Sequence, residues 1–226
     1  MTRHPGPVGR LFAWGYDRAM AGPERALVGR ERQQLLAAAR GRVLDVGAGT
    51  GANLGHYRQD RISALVLVDP SAAMLERARR KAARLGIEVR AEQQRAERLG
   101  CADQSFDTVV FTLSLCTIGS PLEALAEARR VLRPGGRLLV FEHVRAADPA
   151  LARWQDRLTP LWSHFSGGCQ LNRDTRSAIE TTGFTFDTVA ESRDRRMGLP
   201  VVQLLLAGIA RPGRTPTASR PGAPAA

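Results

Sequence analysis

Val43-Leu-Asp-Val-Gly-Ala-Gly-Thr-Gly-Ala-Asn53 places a short apolar strand directly before a glycine-rich turn. Glycines let the backbone turn sharply and approach a ligand closely, and a helix opening after such a turn presents unpaired N–H donors. The turn alone is weak evidence, because glycine-rich turns also serve purely structural ends. Eighteen residues after Gly51, however, Asp69 closes a second apolar strand, Ala64 to Val68. A carboxylate there can accept both ribose hydroxyls of an adenosine, as the dinucleotide folds illustrate. Spacing separates this turn from two other glycine-rich sites. A nicotinamide dinucleotide site reads G-x-G-x-x-G, whereas this turn reads G-x-G-x-G with an acid, Asp45, two residues before its first glycine. No G-K-[ST] follows, which excludes the phosphate loop.

Outward from this turn, strand and helix patterns alternate. Gly51 to Arg58 opens one helix, and after Asp69-Pro-Ser71 another runs to about Arg84, with Ala72, Leu75, Ala78 and Ala82 facing the sheet. Gly86 ends it because glycine tolerates a left-handed backbone. Ile87 to Ala91 reads as a third strand and Asp107 to Leu113 as a fourth, nearly continuous in apolar residues as expected when both faces are covered. Ser120-Pro-Leu-Glu123 has the pattern of a capped helix start, with serine accepting exposed N–H groups and glutamate reaching back. That helix extends to about Val131, and Arg133-Pro-Gly-Gly136 turns the chain into a fifth strand, Arg137 to His143. Asn172 can cap a helix ending at Gly183, and Phe184 to Ala190 with Val201 to Ala210 form an antiparallel pair at one edge. The expected fold class is α/β: a Rossmann-like, doubly wound, seven-stranded, mostly parallel sheet with an antiparallel edge strand and helices on both faces.

A chain of 226 residues with 43% hydrophobic content fits one domain. Its expected limits are 24–210, with Pro23 in a first helical turn, a helix over Glu24 to Ala39, and an insertion at 144–171. Residues 1–23, with Leu11, Phe12, Trp14, Tyr16 and Met20 in a short amphipathic piece, form a cap or flexible segment, and 211–226 reads as a disordered tail. The net charge of +11 keeps a nucleic-acid-binding or RNA-modifying alternative open. Against it, Lys81 is the only lysine, the arginines of Glu76 to Arg98 alternate with glutamates as on a solvated face, and no dedicated nucleic-acid module is present. Cys101, Cys116 and Cys169 form no short C-x-x-C pair, which points to a reducing cytoplasm and to no structural metal. No apolar run approaches the roughly 20 residues that span a bilayer.

The landmarks Asp45-Val-Gly-Ala-Gly-Thr-Gly51, Val68-Asp-Pro-Ser-Ala-Ala-Met74, Ala96-Glu97, Ser105-Phe-Asp-Thr-Val-Val110 and Arg130-Val-Leu-Arg-Pro-Gly-Gly136 occur in the order of a known family. In them the chain resembles the class I S-adenosylmethionine-dependent methyltransferases, of the methyltransferase type 11 and ubiquinone/menaquinone methyltransferase kind. The resemblance implies S-adenosyl-L-methionine as cofactor and S-adenosyl-L-homocysteine as its product. It places Gly47, Gly49 and Gly51 beside the methionine part, with Ala48 and Asn53 in the same cofactor-binding set. Asp69 holds the ribose, Pro70 and Met74 lie near adenine, Ala96 and Glu97 flank it, and Thr112 and Leu113 approach from the fourth strand. Asp45 either accepts a hydrogen bond from the methionine ammonium or holds the loop's own N–H groups. Asp107 is read as bracing the strand entry.

The methyl acceptor is expected beyond the fifth strand, in 142–171, where His143, Trp154, Trp162 and His164 are the candidates; no general base is assigned. Cys116-Thr117, Phe141-Glu-His-Val144, Trp154-Gln155, Pro160-Leu-Trp162 and Gly167-Gly-Cys-Gln-Leu-Asn-Arg-Asp-Thr175 resemble the membrane-associated alkyl thiol methyltransferases. This implies in-line transfer to a small, fairly apolar acceptor, a thiol first. Quinone or phospholipid methylation and a noncatalytic S-adenosylmethionine-binding role are the alternatives. Residues 1–40 lack the hydrophobic anchor of the thiol enzymes, so the expectation is a cytoplasmic protein, with Leu11 to Met20 and nearby arginines offering peripheral membrane contact.

Overall fold

The computed structural model describes residues 29–213. Twelve regular elements follow one another: α1 (Gly29–Leu36), β1 (Gly41–Val46), β2 (Ile62–Asp69), α2 (Ala72–Leu85), β3 (Arg90–Gln93), β4 (Phe106–Thr112), α3 (Pro121–Val131), β5 (Leu132–His143), α4 (Pro149–Phe165), α5 (Thr175–Thr181), β6 (Phe184–Arg193) and β7 (Leu204–Pro212). The amphipathic piece at 11–20, the start of the first helix and the tail from 214 lie outside the described residues.

The seven strands are ordered β3-β2-β1-β4-β5-β7-β6. β1 to β5 run parallel, and β7 runs antiparallel to both β5 and β6. The antiparallel pair stands at the edge as expected, with β7 as its inner member. Strand order reverses between β1 and β4, and in sheets of this kind ligands lie outside the carboxyl ends of the strands at that switch point.

Alternation along the strands builds two cores. On β5, Leu138 and Val140 join Leu125, Ala128 and Ile179 on the α3 and α5 side, while Leu139 and Phe141 join Leu36, Leu75 and Ala78 on the α1 and α2 side. Both sets are fully buried, which explains the uninterrupted apolar runs of the central strands. α2 is capped by the Ser71 hydroxyl, which accepts from Met74 N–H, and stops at Gly86 with φ 67°. On its outer face Glu76 pairs with Arg79 and Arg80, so these arginines have a local acidic partner.

Four local expectations are corrected. Gly51 to Arg58 is no α-helix; it holds a single 3-10 turn at Leu54–His56. Two glycines in eight residues disfavour a helix, and the Asn53 side chain is drawn to Asp45 instead. β3 begins at Arg90, three residues later than expected. Ser120 precedes α3 with no side-chain cap bond, while Pro121 occupies the first turn. Asp174, not Asn172, caps α5 by accepting from Ser177 N–H at 3.0 Å; Asn172 donates to Asp156 at 2.8 Å.

Candidate functional site

The turn after β1 is anchored from below by β2. Gly47 and Ala48 donate their N–H groups to Val68 carbonyl at 2.8 and 3.1 Å, and Gly51 N–H closes back onto Ala48 carbonyl. Two glycines are required for different reasons. A Cβ on Gly47, at φ 71°, would stand 2.6 Å from Ser114 Cβ, so this position needs both the left-handed backbone and the missing side chain. Gly49, at φ 55°, has nothing within 4 Å of where its Cβ would be; its bare face opens on free space.

Asp69, nearly buried at the end of β2, bridges the turn and α2. Its Oδ2 accepts from Gly49 N–H at 3.0 Å and its Oδ1 from Ser71 N–H at 2.8 Å. Burial raises its pKa, and the two N–H donors oppose the rise. An ionised carboxylate has about four acceptor positions, so lone pairs remain on both oxygens for a ligand. The donors expected from a following helix are absent, and this carboxylate has captured the Gly49 N–H.

Asp45 is tied to side chains, not to the N–H groups of its loop. Asn53 Nδ2 reaches both of its oxygens at 3.0 and 2.9 Å, and Tyr57 Oη donates at 2.9 Å. Asn53 Oδ1 in turn accepts from Thr112 Oγ1 at 3.1 Å. This buried network stitches the ends of β1 and β4 to the 51–58 segment. Burial pushes the Asp45 carboxyl up to about 6.

The remaining predicted residues gather around the same edge. Pro70 and Met74 sit half-buried where α2 begins, and Gln93 Nε2 donates to Pro70 carbonyl. Ala96 is buried in the core. The Glu97 carboxylate faces Arg95 at 3.1 Å and Ser120 N–H at 3.5 Å; burial raises its pKa, but these donors and its own N–H bring it below the usual value. Asp107 braces the strand entry, accepting from Arg42 N–H at 2.8 Å and from Arg133 at 2.9 Å. Leu113, half-buried, has φ 51°, outside the usual range for a bulky side chain.

The four acceptor-side candidates are dispersed. His143 is half-buried with no partner for Nδ1, and burial lowers its pKa, leaving the imidazole neutral near pH 7. Trp162 packs on the cluster of Leu171, Val201 and Val202, and its indole lies against the Cys169 thiol. Trp154 is 55% exposed, with Arg157 over its ring, and His164 is also exposed on α4.

Two buried polar residues missing from the predicted set organise this half. Gln155 accepts from Ala146 N–H at 2.8 Å and donates to the carbonyls of Val144 and Val201 at 3.1 Å, pinning α4 to the chain leaving β5. Glu142, fully buried, accepts from the N–H groups of Ser114 and Leu115 at 2.8 Å and of Cys116 at 3.3 Å. Burial pushes its carboxyl to about 7 against those three donors.

Comparison with known proteins gives this edge its chemistry. The family model described as "Methyltransferase domain" matches residues 44–155. Human thiol S-methyltransferase TMT1B is 34% identical over 174 residues, covering 75% of this chain and 70% of that protein. The chain belongs to the class I S-adenosylmethionine-dependent methyltransferases. Rat TMT1B is 37% identical over 149 residues, 63% of this chain; the chain spans 59% of that protein's length. The phosphatidylethanolamine N-methyltransferase of Cereibacter sphaeroides is 37% identical over 127 residues, 52% of this chain and 62% of that one. In fold, a SAM-dependent methyltransferase from Thermotoga maritima superposes with a TM-score of 0.67 at 22% identity, covering 89% of this chain and 97% of that one.

S-adenosylmethionine is therefore the cofactor of this methyltransferase, and the residues present fit it. The open face of Gly49 leaves room beside the turn, and Asp69 stands at its end with acceptor positions to spare. Among the described residues no helix is long and apolar enough to cross a membrane, and no group of three or more His, Cys, Asp or Glu residues is placed to hold a metal ion.

Proposed function

We propose that this methyltransferase methylates a small, fairly apolar acceptor, and that the acceptor is a thiol. The observation that carries the reading is the position of the 113–118 turn. It leaves β4 beside Gly47 and is hydrogen-bonded on its other side to the segment after α4, through Gln170 N–H to Cys116 carbonyl at 2.9 Å. An acceptor entering there meets Leu113 and the apolar cluster carrying Trp162.

S-adenosylmethionine supplies an activated methyl group, so the protein's work is alignment and exclusion of water. In this proposal Asp69 accepts the ribose hydroxyls, and Gly47, Ala48, Gly49 and Gly51 border the methionine part. Pro70, Met74, Ala96 and Glu97 surround the adenine end. Asp45, Asn53 and Thr112 keep the two strand ends in register. His143 is half-buried, and burial lowers its pKa, which weakens it as a base for an alcohol. A thiol is far more acidic than an alcohol, with a cysteine thiol at a pKa of about 8.5, so it needs less help from a base. The similarity to thiol S-methyltransferases extends the same way. The proposal places the reaction in the cytoplasm, which agrees with three free cysteines, and leaves the apolar acceptor free to arrive from a membrane surface.

The test is incubation of purified protein with labelled S-adenosylmethionine and alkyl thiols, phenols, quinols, amines, aminophospholipids and RNA. Turnover of alkyl thiols supports the proposal. Turnover of another class without thiols removes S-methylation and keeps methyl transfer, and cofactor binding without turnover of any class favours a noncatalytic role.

A further inference from the structure

The 113–118 turn lies between the two halves of the site. On one side, Ser114 Cβ fills the space that a side chain on Gly47 would need. On the other, Cys116 carbonyl accepts from Gln170 N–H at 2.9 Å and Ile118 carbonyl from Arg173 Nη2 at 2.7 Å, both in the segment after α4. Its backbone does not rest in a relaxed state. A left-handed conformation crowds the Cβ of any residue other than glycine against its own backbone, and Leu113 adopts one. Such strain persists only where the surroundings over-determine it.

Those surroundings come from the last residues of β5. Leu113 N–H donates to Phe141 carbonyl at 2.7 Å. The next three N–H groups, from Ser114, Leu115 and Cys116, all converge on the Glu142 carboxylate. The sheet itself asks for no acid here. Leu138 to Phe141 are apolar and buried, and placing a carboxylate beside them carries a desolvation penalty. The three donors are neighbours in one turn and belong to no other element, so what the carboxylate secures is the shape of that turn.

We propose that Glu142 is a positioning residue for methyl transfer: by gathering the N–H groups of Ser114, Leu115 and Cys116 it holds the strained turn as the acceptor-side wall beside the glycine loop. It touches neither cofactor nor acceptor. The inference rests on the acceptor entering beside this turn, as in the proposed function. It assigns Glu142 to the acceptor half alone, since the cofactor half has its own fastenings in Asp45, Asn53 and Asp69.

Glu142→Gln and Glu142→Leu separate this role from a general structural one. Glutamine keeps the shape but turns an NH2 group toward one of the three donors; leucine removes every acceptor. Three readouts are taken on protein with native circular dichroism: amide hydrogen exchange, S-adenosylmethionine affinity by calorimetry, and kcat and KM with an alkyl thiol. Exchange in peptides covering 113–117 should quicken about tenfold, as for a lost hydrogen bond of ordinary strength, with 47–51 unchanged. Cofactor Kd should stay within about threefold, while kcat falls about 10–100-fold, the scale of a small misplacement at a reacting centre. Unchanged exchange at 113–117, a cofactor Kd that weakens in step with kcat, or full kcat in both variants would overturn the inference. If wild-type protein methylates no thiol, the thiol reading fails; kcat is then measured with whichever acceptor is turned over. If none is, exchange and cofactor affinity decide by themselves. Should only Glu142→Leu fail to fold, Glu142→Gln carries the test.

Discussion

Replacing Asp69 with alanine tests the cofactor half directly. The carboxylate is held by Gly49 N–H at 3.0 Å and Ser71 N–H at 2.8 Å, one to each oxygen, and is 9% exposed. Its position is therefore set before any ligand arrives, and little ordering cost remains to be met on binding. Hydrogen bonds to a charged acceptor are worth about 1.5–3 kcal/mol each, so losing a pair to the ribose hydroxyls predicts a loss of about 3 kcal/mol or more. That corresponds to a cofactor Kd weaker by about 100-fold or more. Asp69→Asn should fall between, because the amide retains one oxygen but no charge. Isothermal calorimetry with S-adenosylmethionine and S-adenosylhomocysteine measures both variants, with circular dichroism to establish that α2 survives. The two ligands should lose affinity equally, since they share the ribose. A folded Asp69→Ala protein whose Kd stays within about threefold of wild type would refute the ribose assignment.

Four further outcomes follow from the same structure. Gly47→Ala drives a Cβ to 2.6 Å from Ser114 Cβ in a left-handed backbone and should cost about 2 kcal/mol or more of stability in urea melts. Gly49→Ala meets open space, so it should cost only about 1 kcal/mol of stability, while its cofactor affinity, read by calorimetry, drops because the new methyl occupies the ligand's side of the turn. Gln155→Leu leaves one N–H and two carbonyls unpaired around α4 and should cost about 2–4 kcal/mol, again by urea unfolding. Finally, Glu142 is held at about 7 against an ordinary 4.5, so the native state keeps a proton that the unfolded chain has already released. Its contribution is therefore greatest below the unfolded value and is lost as pH rises toward about 7. Comparing urea melts at pH 5 and 8, wild type should lose up to about 3 kcal/mol relative to Glu142→Gln; an unchanged difference would contradict the raised value.

What could be read from the sequence, and what could not, follows from how far apart the interacting residues lie. β1, β2 and β4 announce themselves as apolar runs, and Gly86 marks the end of α2, because such signals are local. Asp69 was legible for the same reason: it closes an apolar strand within 20 residues of the Gly49 whose N–H it accepts. The choice between Asn172 and Asp174 as the cap of α5 was not, since both residues can cap and only the packed register decides. Neither was the fate of Asp45, whose partners Asn53 and Tyr57 come near only because 51–58 fails to form a helix. A usable signal did exist in α4. Ala152, Gln155, Thr159 and Trp162 recur at helical spacing and form its inner face, and a glutamine in such a stripe marks a buried polar fastening. Trp154 lies outside that stripe, which is why two tryptophans in one helix have different surroundings.

The two halves of the site differ in this respect for a reason that bears on acceptor choice. The glycine loop, the Asp69 carboxylate and the strand ties on the cofactor side come largely from residues 45–69, with Thr112 added across the sheet. The proposed acceptor side is assembled from the 113–118 turn, the end of β5, the inner face of α4 and the segment from Cys169 to Arg173, joined by Glu142 and Gln155. Each of those segments can vary while the cofactor end keeps its own hydrogen bonds. Relatives that share the methyltransferase domain yet are named for thiol and phospholipid acceptors are what such a division produces. Substitutions at Trp162 should accordingly move acceptor KM and leave cofactor Kd within about threefold, whereas substitutions at Asp45 or Asp69 should do the reverse. A Trp162→Ala variant that lost cofactor affinity in proportion to turnover would show that the two halves are not separable.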